Sequence, residues 1–365
     1  MLQDRHGENF HHEGLSLRIT VIIPCYNVAP WVRRCLDSVR AALPPASEIV
    51  AVDDGSTDGT ADALKDFELG FAEEGTDAQG RSLKVLRQGN RGVSAARNRA
   101  LDVAQGEYVF FVDPDDVVAP DFFTAMVAAL EIDKADCCLC GYSEQADGEA
   151  DEKRRDSSLK GDYRYRTNDE ILRDYLPRIF GYSFDDVRAW YAGTPLFTNR
   201  ELASACRMAF RRALIEARHI RFDETIALFE DAMFNAEYLI AAQSMTSVDR
   251  PLYQICYRDS SASSTLPKRS ARYCRNKLAL LKKREALNRQ VGGRLTALYA
   301  GTNVFSALEI VAAMFKRSVA WREGRALLCE YLSVPSVRAA FREFPLSGRK
   351  PLLALAVWLL RRFVK

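Results

Sequence analysis

Three acidic clusters are the residues of this chain whose types and spacing could do chemistry. Asp113, Asp115 and Asp116 fall within four positions, directly after the apolar run Tyr108-Val109-Phe110-Phe111-Val112. Three like charges that close repel one another unless a cation sits among them, and a divalent ion with a preference for oxygen suits them. Taken alone, the same residues also make a helix start, because Asp and Pro, here Pro114, are common there. Asp53-Asp54 repeats the design: acid at the end of an apolar run, then the tight turn Gly55-Ser56-Thr57-Asp58-Gly59-Thr60. Glu230-Asp231 stands before Ala232-Met233-Phe234. By itself that pair begins a helix with charge favourable to its dipole.

The elements that must position these groups follow from the apolar pattern. Residues 17–24, 48–52, 83–86, 107–112 and 135–141 read as strands. Helices are expected from 29, where Trp31, Val32, Cys35, Leu36 and Val39 share a face, after 60, at 93–104 with Gly106 as its stop, and at 121–131. Strands alternating with helices imply a parallel, right-handed, doubly wound sheet. The carboxylates at 53–54 and 113–116 then lie at the C-terminal ends of strands, where such folds bind ligands. Residues 143–168 are almost wholly polar and read as a mobile excursion. Mixed segments follow at 168–180 and 200–217, then a helix through Phe234 and Tyr238, and short strands at 245–248 and 251–258. The 259–265 stretch, five Ser or Thr in seven, reads as a flexible loop, and from 273 onward the pattern is helical.

Of the 365 residues, 48% are hydrophobic and 27% charged, as in a soluble globular protein, and the net charge of +2 conceals an asymmetry. From Lys268 onward there are 21 Lys or Arg against five Glu and no Asp, a net +16, while the preceding residues hold 30 basic and 44 acidic groups, a net −14. A basic block of this kind points to a polyanion, an anionic membrane or an anionic substrate. No nucleic-acid motif accompanies it, so nucleic acid is not expected as a partner. The nine cysteines show no metal-type spacing, and Cys137, Cys138 and Cys140 fall in an apolar run, so buried free thiols in a reducing compartment are expected. The first residues, with His11 and His12, form a polar tail without the apolar core of a signal peptide. No stretch reaches the ~18 apolar residues that span a bilayer.

Five motifs in order carry a resemblance. Ile22-Ile23-Pro24-Cys25-Tyr26-Asn27, Val52-Asp53-Asp54-Gly55-Ser56-Thr57-Asp58, Gly92-Val93-Ser94-Ala95-Ala96-Arg97-Asn98, Phe111-Val112-Asp113-Pro114-Asp115-Asp116 and Glu230-Asp231 stand as they do in family 2 glycosyltransferases. The chain resembles these inverting enzymes over about residues 17–260. Tyr257-Arg258 with Ser263 and Ser264 is similar to a pattern in bacterial members that build capsular, O-antigen or exopolysaccharide chains.

The resemblance implies a GT-A fold, Rossmann-like, with a mixed, mainly parallel sheet flanked by helices and a C-terminal helical region. It implies a nucleotide-sugar donor, UDP-linked by family expectation, held by Pro24, Tyr26, Asn27, Asp54, Arg97, Asp113, Asp115 and Arg258. Asp54 would accept a hydrogen bond from the base. Arg97 would meet the phosphates or the base, and Arg91 and Arg99 would be solvated. Asp115, helped by Asp113, would hold Mn²⁺ or Mg²⁺, and Asp116 would cap a helix or share that role. Asp231 would be the catalytic base, supported by Glu230. Arg258 would order the Ser-rich loop as a lid, and Trp190 and Tyr191 would stack on a sugar or pack in the core.

The expected organisation is a polar extension at 1–16, a catalytic domain at 17–266 and a basic helical region at 267–365. Within the catalytic domain a nucleotide-binding half spans 17–142 and an acceptor half 143–266. The final stretch from Pro351, with Leu352, Leu353, Leu355, Val357, Trp358, Leu359 and Leu360 between basic ends, is the composition of an interfacial anchor. The expected enzyme is a metal-dependent hexosyl- or N-acetylhexosaminyltransferase, peripheral on the inner face of a bacterial membrane. Its acceptor would be a lipid-linked glycan, and a homodimer is allowed. The alternatives are a soluble transferase acting on a protein acceptor and a non-catalytic nucleotide-sugar-binding scaffold.

Overall fold

The structure, a computed structural model, describes residues 19–70, 77–147, 153–198, 200–258, 270–347 and 349–362. The polar N-terminal extension, and Ser263 and Ser264 of the Ser-rich loop, lie outside the described residues. The chain divides into two compact units. The first comprises Met1–Asn168, Ser204–Phe222 and Ala241–Arg258, and the second Asp169–Ala203, Asp223–Ile240 and Asp259–Lys365. Segments 169–203 and 223–240, expected in the acceptor half of a catalytic domain, thus cluster with the C-terminal helices.

The first unit is built on a nine-stranded sheet of order β3-β2-β1-β4-β8-β6-β9-β5, with β7 paired to β6. Strands β1 (Ile19–Cys25), β2 (Glu48–Asp53), β3 (Ser82–Arg87) and β4 (Tyr108–Phe111) run parallel, as their apolar runs imply. Every residue of β1 and β4 is buried. Helix α1 (Ala29–Ala42) buries Val32, Cys35, Leu36, Val39 and Ala42, a stripe at helical spacing. Helices α2 (Thr60–Leu69), α3 (Val93–Leu101) and α4 (Phe122–Asp133) complete the alternation. Phe110 meets Phe122 and Phe123 edge-on at centroid distances of 5.5 and 5.0 Å, contacts worth about 1 kcal/mol each beyond area burial. The chain passes from β1 outward through β2 and β3, then returns to β4 on the other side of β1. That reversal puts a crevice at the C-terminal ends of β1 and β4.

The remaining strands depart from a purely parallel sheet. Strand β8 (Met208–Arg211) lies antiparallel between β4 and β6 (Cys137–Ala146). Its four residues sit inside a mixed polar segment and carry no alternation that marks them. The two short strands expected at 245–248 and 251–258 are one strand, β9 (Met245–Tyr257), parallel to β6, with β5 (Val117–Val118) antiparallel on its far side. Register shifts at Gly141 absorb the Asp249-Arg250-Pro251 interruption, and a Cβ at Gly141 would lie 2.8 Å from the Arg250 carbonyl oxygen. The polar stretch after 143 continues β6 to Ala146 and returns as β7 (Arg155–Ser157).

The second unit has its own core, in which Val187, Leu281, Val304, Ile310, Tyr331 and Phe341 are among the buried residues. Helix Ala271–Gln290 is buried on two faces, and its Arg284 Nε donates to the Phe180 carbonyl at 2.8 Å. Among the described residues one helical stretch, Thr296–Phe315, is long and apolar enough to cross a membrane by length and composition, although no run of that size was expected. Tyr299, Asn303, Ser306 and Glu309 interrupt its apolar residues, which hid it, and 56% of its most apolar window is buried inside the unit. All nine cysteines are free thiols, and all but Cys329 are buried.

Candidate active site

The crevice side of the first unit is assembled from three loops. Pro24, buried, is the penultimate residue of β1 and pairs with Val52. Tyr26 follows, 46% exposed, and Asn27 takes a left-handed turn at φ 51°. Asn27 Oδ1 accepts from the Thr57 backbone N–H at 2.8 Å, and the Asn27 N–H donates to Ser56 Oγ at 3.0 Å. The Val28 N–H donates to Thr60 Oγ1 at 2.8 Å. Thus the loop after β1 is locked to the loop after β2. Gly55 sits at φ 78° where a Cβ would lie 2.9 Å from the Asn90 nitrogen, so the second loop can press against the third only as glycine.

Asp54, almost wholly buried, holds that third loop. It accepts from Gln88 Nε2 at 2.8 Å, the Arg91 N–H at 2.8 Å and the Gly92 N–H at 2.7 Å. Two of those donors share Oδ1 and one binds Oδ2, so a base N–H has the remaining acceptor capacity of Oδ2 to use. Gln88 was not among the expected site residues, although it stands in the turn read from the sequence.

Beyond β4, the carboxylates separate by partner. Asp113, a third exposed, accepts from buried Arg97 Nη2 at 2.8 Å. Arg97 also lies over the Phe222 ring at 5.1 Å. Asp115 pairs with Arg258 Nη2 at 2.8 Å, and that guanidinium rests 4.0 Å from the centroid of the Trp31 ring. Trp31 Nε1 and Arg34 Nη1 both donate to Asp147, and Arg34 Nη2 donates to the Asp115 carbonyl at 3.2 Å. Arg258 Nε is buried with no hydrogen-bond acceptor among the described residues. Asp116 takes neither a helix-cap nor a crevice position. It is buried, accepting from Tyr253 Oη at 2.7 Å and the Cys256 N–H at 2.8 Å, while Tyr253 Oη accepts from the Asp113 N–H. Tyr253 thereby ties β9 to the acidic loop, and no sequence signal marked it. Arg91 is exposed and Arg99, half-buried, donates to the Arg87 carbonyl.

The electrostatics fit a site short of positive charge. Burial, then Asp113, pushes the Asp115 carboxyl up, and Arg258 opposes this. Burial, then Asp113 and Asp115, pushes Asp116 well above the usual carboxylate range. Asp113 and Asp115 offer oxygen donors only, which suits Mg²⁺ or Mn²⁺ over softer metals. Among the described residues no three His, Cys, Asp or Glu converge on one ion, so ligands beyond the two carboxylates have to complete a site.

In the second unit, Glu230 and Asp231 begin the helix Glu230–Ala241. The preceding residue, Phe229, has φ 66°. The approach to that turn is held by Asn276, 2% exposed on helix Ala271–Gln290. Asn276 Oδ1 accepts from the Ala227 N–H at 2.6 Å and the Leu228 N–H at 3.1 Å, and its Nδ2 donates to the Leu228 carbonyl at 3.1 Å. Lys283, two turns on, pairs with Glu237 at 2.7 Å. Asn276 was not expected. Its signal is a polar residue on the stripe of Leu280 and Leu287. Trp190 packs on Tyr191 and Phe305, with Lys350 Nζ 4.8 Å from its ring centroid.

A sheet that reverses at β1 and β4, with carboxylates and guanidinium groups at that reversal, defines a GT-A architecture. The S. aureus TarS 1–349 structure in complex with UDP shares this fold at a TM-score of 0.58, with 19% identity, covering 95% of this chain and 90% of that one. Residues 20–190 match the sequence model of Glycosyl transferase family 2. It is 27% identical over 250 residues to the uncharacterized glycosyltransferase EpsJ of Bacillus subtilis strain 168, covering 68% of this chain and 62% of EpsJ. It is 28% identical over 250 residues to the glycosyltransferase GlyA of Streptococcus pneumoniae serotype 4, covering 67% of this chain and 31% of GlyA. The chain therefore spans less than two thirds of the length of these relatives.

Proposed function

We propose that this chain is an inverting glycosyltransferase that moves a hexosyl or N-acetylhexosaminyl group from a UDP-sugar to a hydroxyl of a glycan, in bacterial cell-surface polysaccharide synthesis. The observation that carries the proposal is the pair of ion pairs at the end of β4, Arg97–Asp113 and Arg258–Asp115, set beside the interlocked loops of β1, β2 and Asp54. TarS, which shares the fold, has been solved with UDP and with UDP-GlcNAc, and that supports the choice of nucleotide.

In this reading Tyr26 and Asn27 receive the base, with Pro24 setting the loop and Asp54 both shaping the pocket floor and accepting from the base. Arg258 turns its orphaned Nε, and Arg97 its guanidinium, to the diphosphate. Asp115 and Asp113 would hold Mn²⁺ or Mg²⁺, which would supply Lewis-acid stabilisation of the diphosphate's charge. Asp231 accepts the proton of the acceptor hydroxyl as the new C–O bond forms. The bond to the diphosphate breaks on the opposite face, and the electron pair leaves with UDP. Glu230 orients the acceptor. The acceptor is a lipid-linked glycan, and the enzyme works peripherally on the inner face of the membrane.

The test is to incubate the full chain with UDP-sugars, Mn²⁺ and undecaprenyl-linked oligosaccharides, following UDP release and the anomeric configuration of the product by NMR. Release with a β-linked product from an α-linked donor is expected. A retained configuration, or UDP release with no acceptor dependence, would overturn the reading.

A further inference from the structure

The last described helix, Pro351–Arg361, carries two opposed apolar faces. Val357 is fully buried, and Leu353 and Leu360 pack beside it on the core of the second unit. The other face has no cover among the described residues. Leu352 is 83% exposed, Leu355 52%, Trp358 44% and Leu359 46%. At 100° per residue these four occupy a stripe about 120° wide, centred opposite the buried one. Leu352 gains little burial from folding, and four large apolar side chains on one face of a short helix form a contiguous patch.

The charge around this patch has one sign. From Phe344 onward the sequence holds five Lys or Arg and no Asp or Glu. Arg349 and Lys350 stand exposed at the start of the helix. Arg362, exposed at its end, lies 3.9 Å from the Trp358 ring centroid. The acids of the C-terminal region are largely spent internally: Glu309 pairs with Lys277, Glu330 with Lys282 and Glu323 with Arg275, while Glu285 accepts from Tyr299 and Ser336. The positive charge next to the patch is therefore not neutralised within it. Arg349 Nη1 donates to the Tyr191 carbonyl at 2.9 Å and Lys350 and Arg362 lie over the Trp190 and Trp358 rings, contacts that hold these cations without neutralising their charge. An anionic bilayer supplies an apolar phase and the opposite charge at once. Its acyl boundary takes the leucines, its headgroup level takes the Trp358 indole, and its phosphates take the basic ends.

We infer that the face formed by Leu352, Leu355, Trp358 and Leu359 lies in the plane of an anionic membrane, with Arg349, Lys350 and Arg362 on the phosphates. The inference rests on the reading that the acceptor is lipid-linked and deepens it by naming the surface. The helix spans 11 residues, about 17 Å, so it lies on the bilayer and does not cross it.

The test is flotation of the full chain with vesicles of phosphatidylcholine plus phosphatidylglycerol, and with phosphatidylcholine alone. The expected result is retention by the anionic vesicles only, falling as salt is raised. The double substitution Leu352→Glu, Leu355→Glu is expected to lower the bound fraction by about tenfold or more. Leu69→Glu, at a leucine 74% exposed on the first unit, is expected to leave it unchanged. Both altered leucines are solvent-facing, and an unchanged circular dichroism melt checks that the fold survives. Failure of the intact chain to float, or floating unaffected by the double substitution, overturns the inference. So does a dimer in light scattering that the double substitution converts to monomer, because a second copy then covers the face. Transfer to a soluble acceptor glycoside is measured in parallel. Its loss would count against the proposed function, and its persistence without flotation would count against the membrane face alone.

Discussion

Replacing Asn276 by leucine removes three hydrogen bonds from the two residues that lead into Phe229, Glu230 and Asp231. At about 1 kcal/mol each, the loss is about 3 kcal/mol. Ala227 and Leu228 are only half-buried, so water recovers part of it, and about 2 kcal/mol is the expected net cost. If that cost falls on a turn whose ordered and disordered states are close to balance, the fraction of enzyme with Asp231 in its proposed position drops by as much as about 30-fold, and kcat with it. Donor binding, proposed above for the first unit, is expected to keep its Kd. Asn276→Asp retains the acceptor for both N–H groups and loses only the donor to Leu228, so it is expected to recover most of kcat. The assay is steady-state kinetics of UDP release with varied donor, alongside calorimetric UDP binding and a urea midpoint for each variant. Equal losses of kcat and donor affinity in Asn276→Leu, or no rescue by aspartate at matched stability, would refute the reasoning and leave Asn276 a packing residue.

Asp231→Asn is expected to abolish transfer with UDP binding nearly intact, whereas Asp115→Asn is expected to weaken metal-dependent binding; calorimetry with and without chelator separates them. Arg258→Met removes one charge-assisted contact and the stack on Trp31, and is expected to raise the donor Kd by roughly tenfold in the same titration. Tyr253→Phe deletes the hydroxyl shared by Asp116 and the Asp113 N–H. It is expected to cost about 2 kcal/mol in a denaturant midpoint, because buried Asp116 and the half-buried Asp113 N–H are left unmatched.

The part of the fold nearest the site was legible because buried strands that end in acid are unusual. Ile49–Val52 before Asp53 and Tyr108–Val112 before Asp113 contain no charged residue, so they had to lie inside a parallel sheet, and their carboxylates had to emerge at its C-terminal edge. The far half of the sheet was less legible. Met208–Arg211 is too short to show a period, and Pro251 split β9 because a proline argues against a central strand until a bulge accommodates it. The grouping of 169–203 and 223–240 with the C-terminal helices depends on contacts across long sequence separations, which local patterns do not encode. The acidic motifs named the candidate site, while its supports were found only in three dimensions. Gln88, Tyr253 and Asn276 are polar residues whose value lies in which backbone groups they meet.

The central claim is that the first unit binds a nucleotide sugar through Asp113, Asp115, Arg97 and Arg258. Calorimetric titration of the full chain with UDP, UDP-sugars and the corresponding GDP and dTDP compounds, in Mn²⁺ and in chelator, tests it most directly. Metal-dependent binding of the uridine compounds, lost in Asp115→Asn, is the expected result. A folded chain that binds none of them in the presence of Mn²⁺ would contradict the claim.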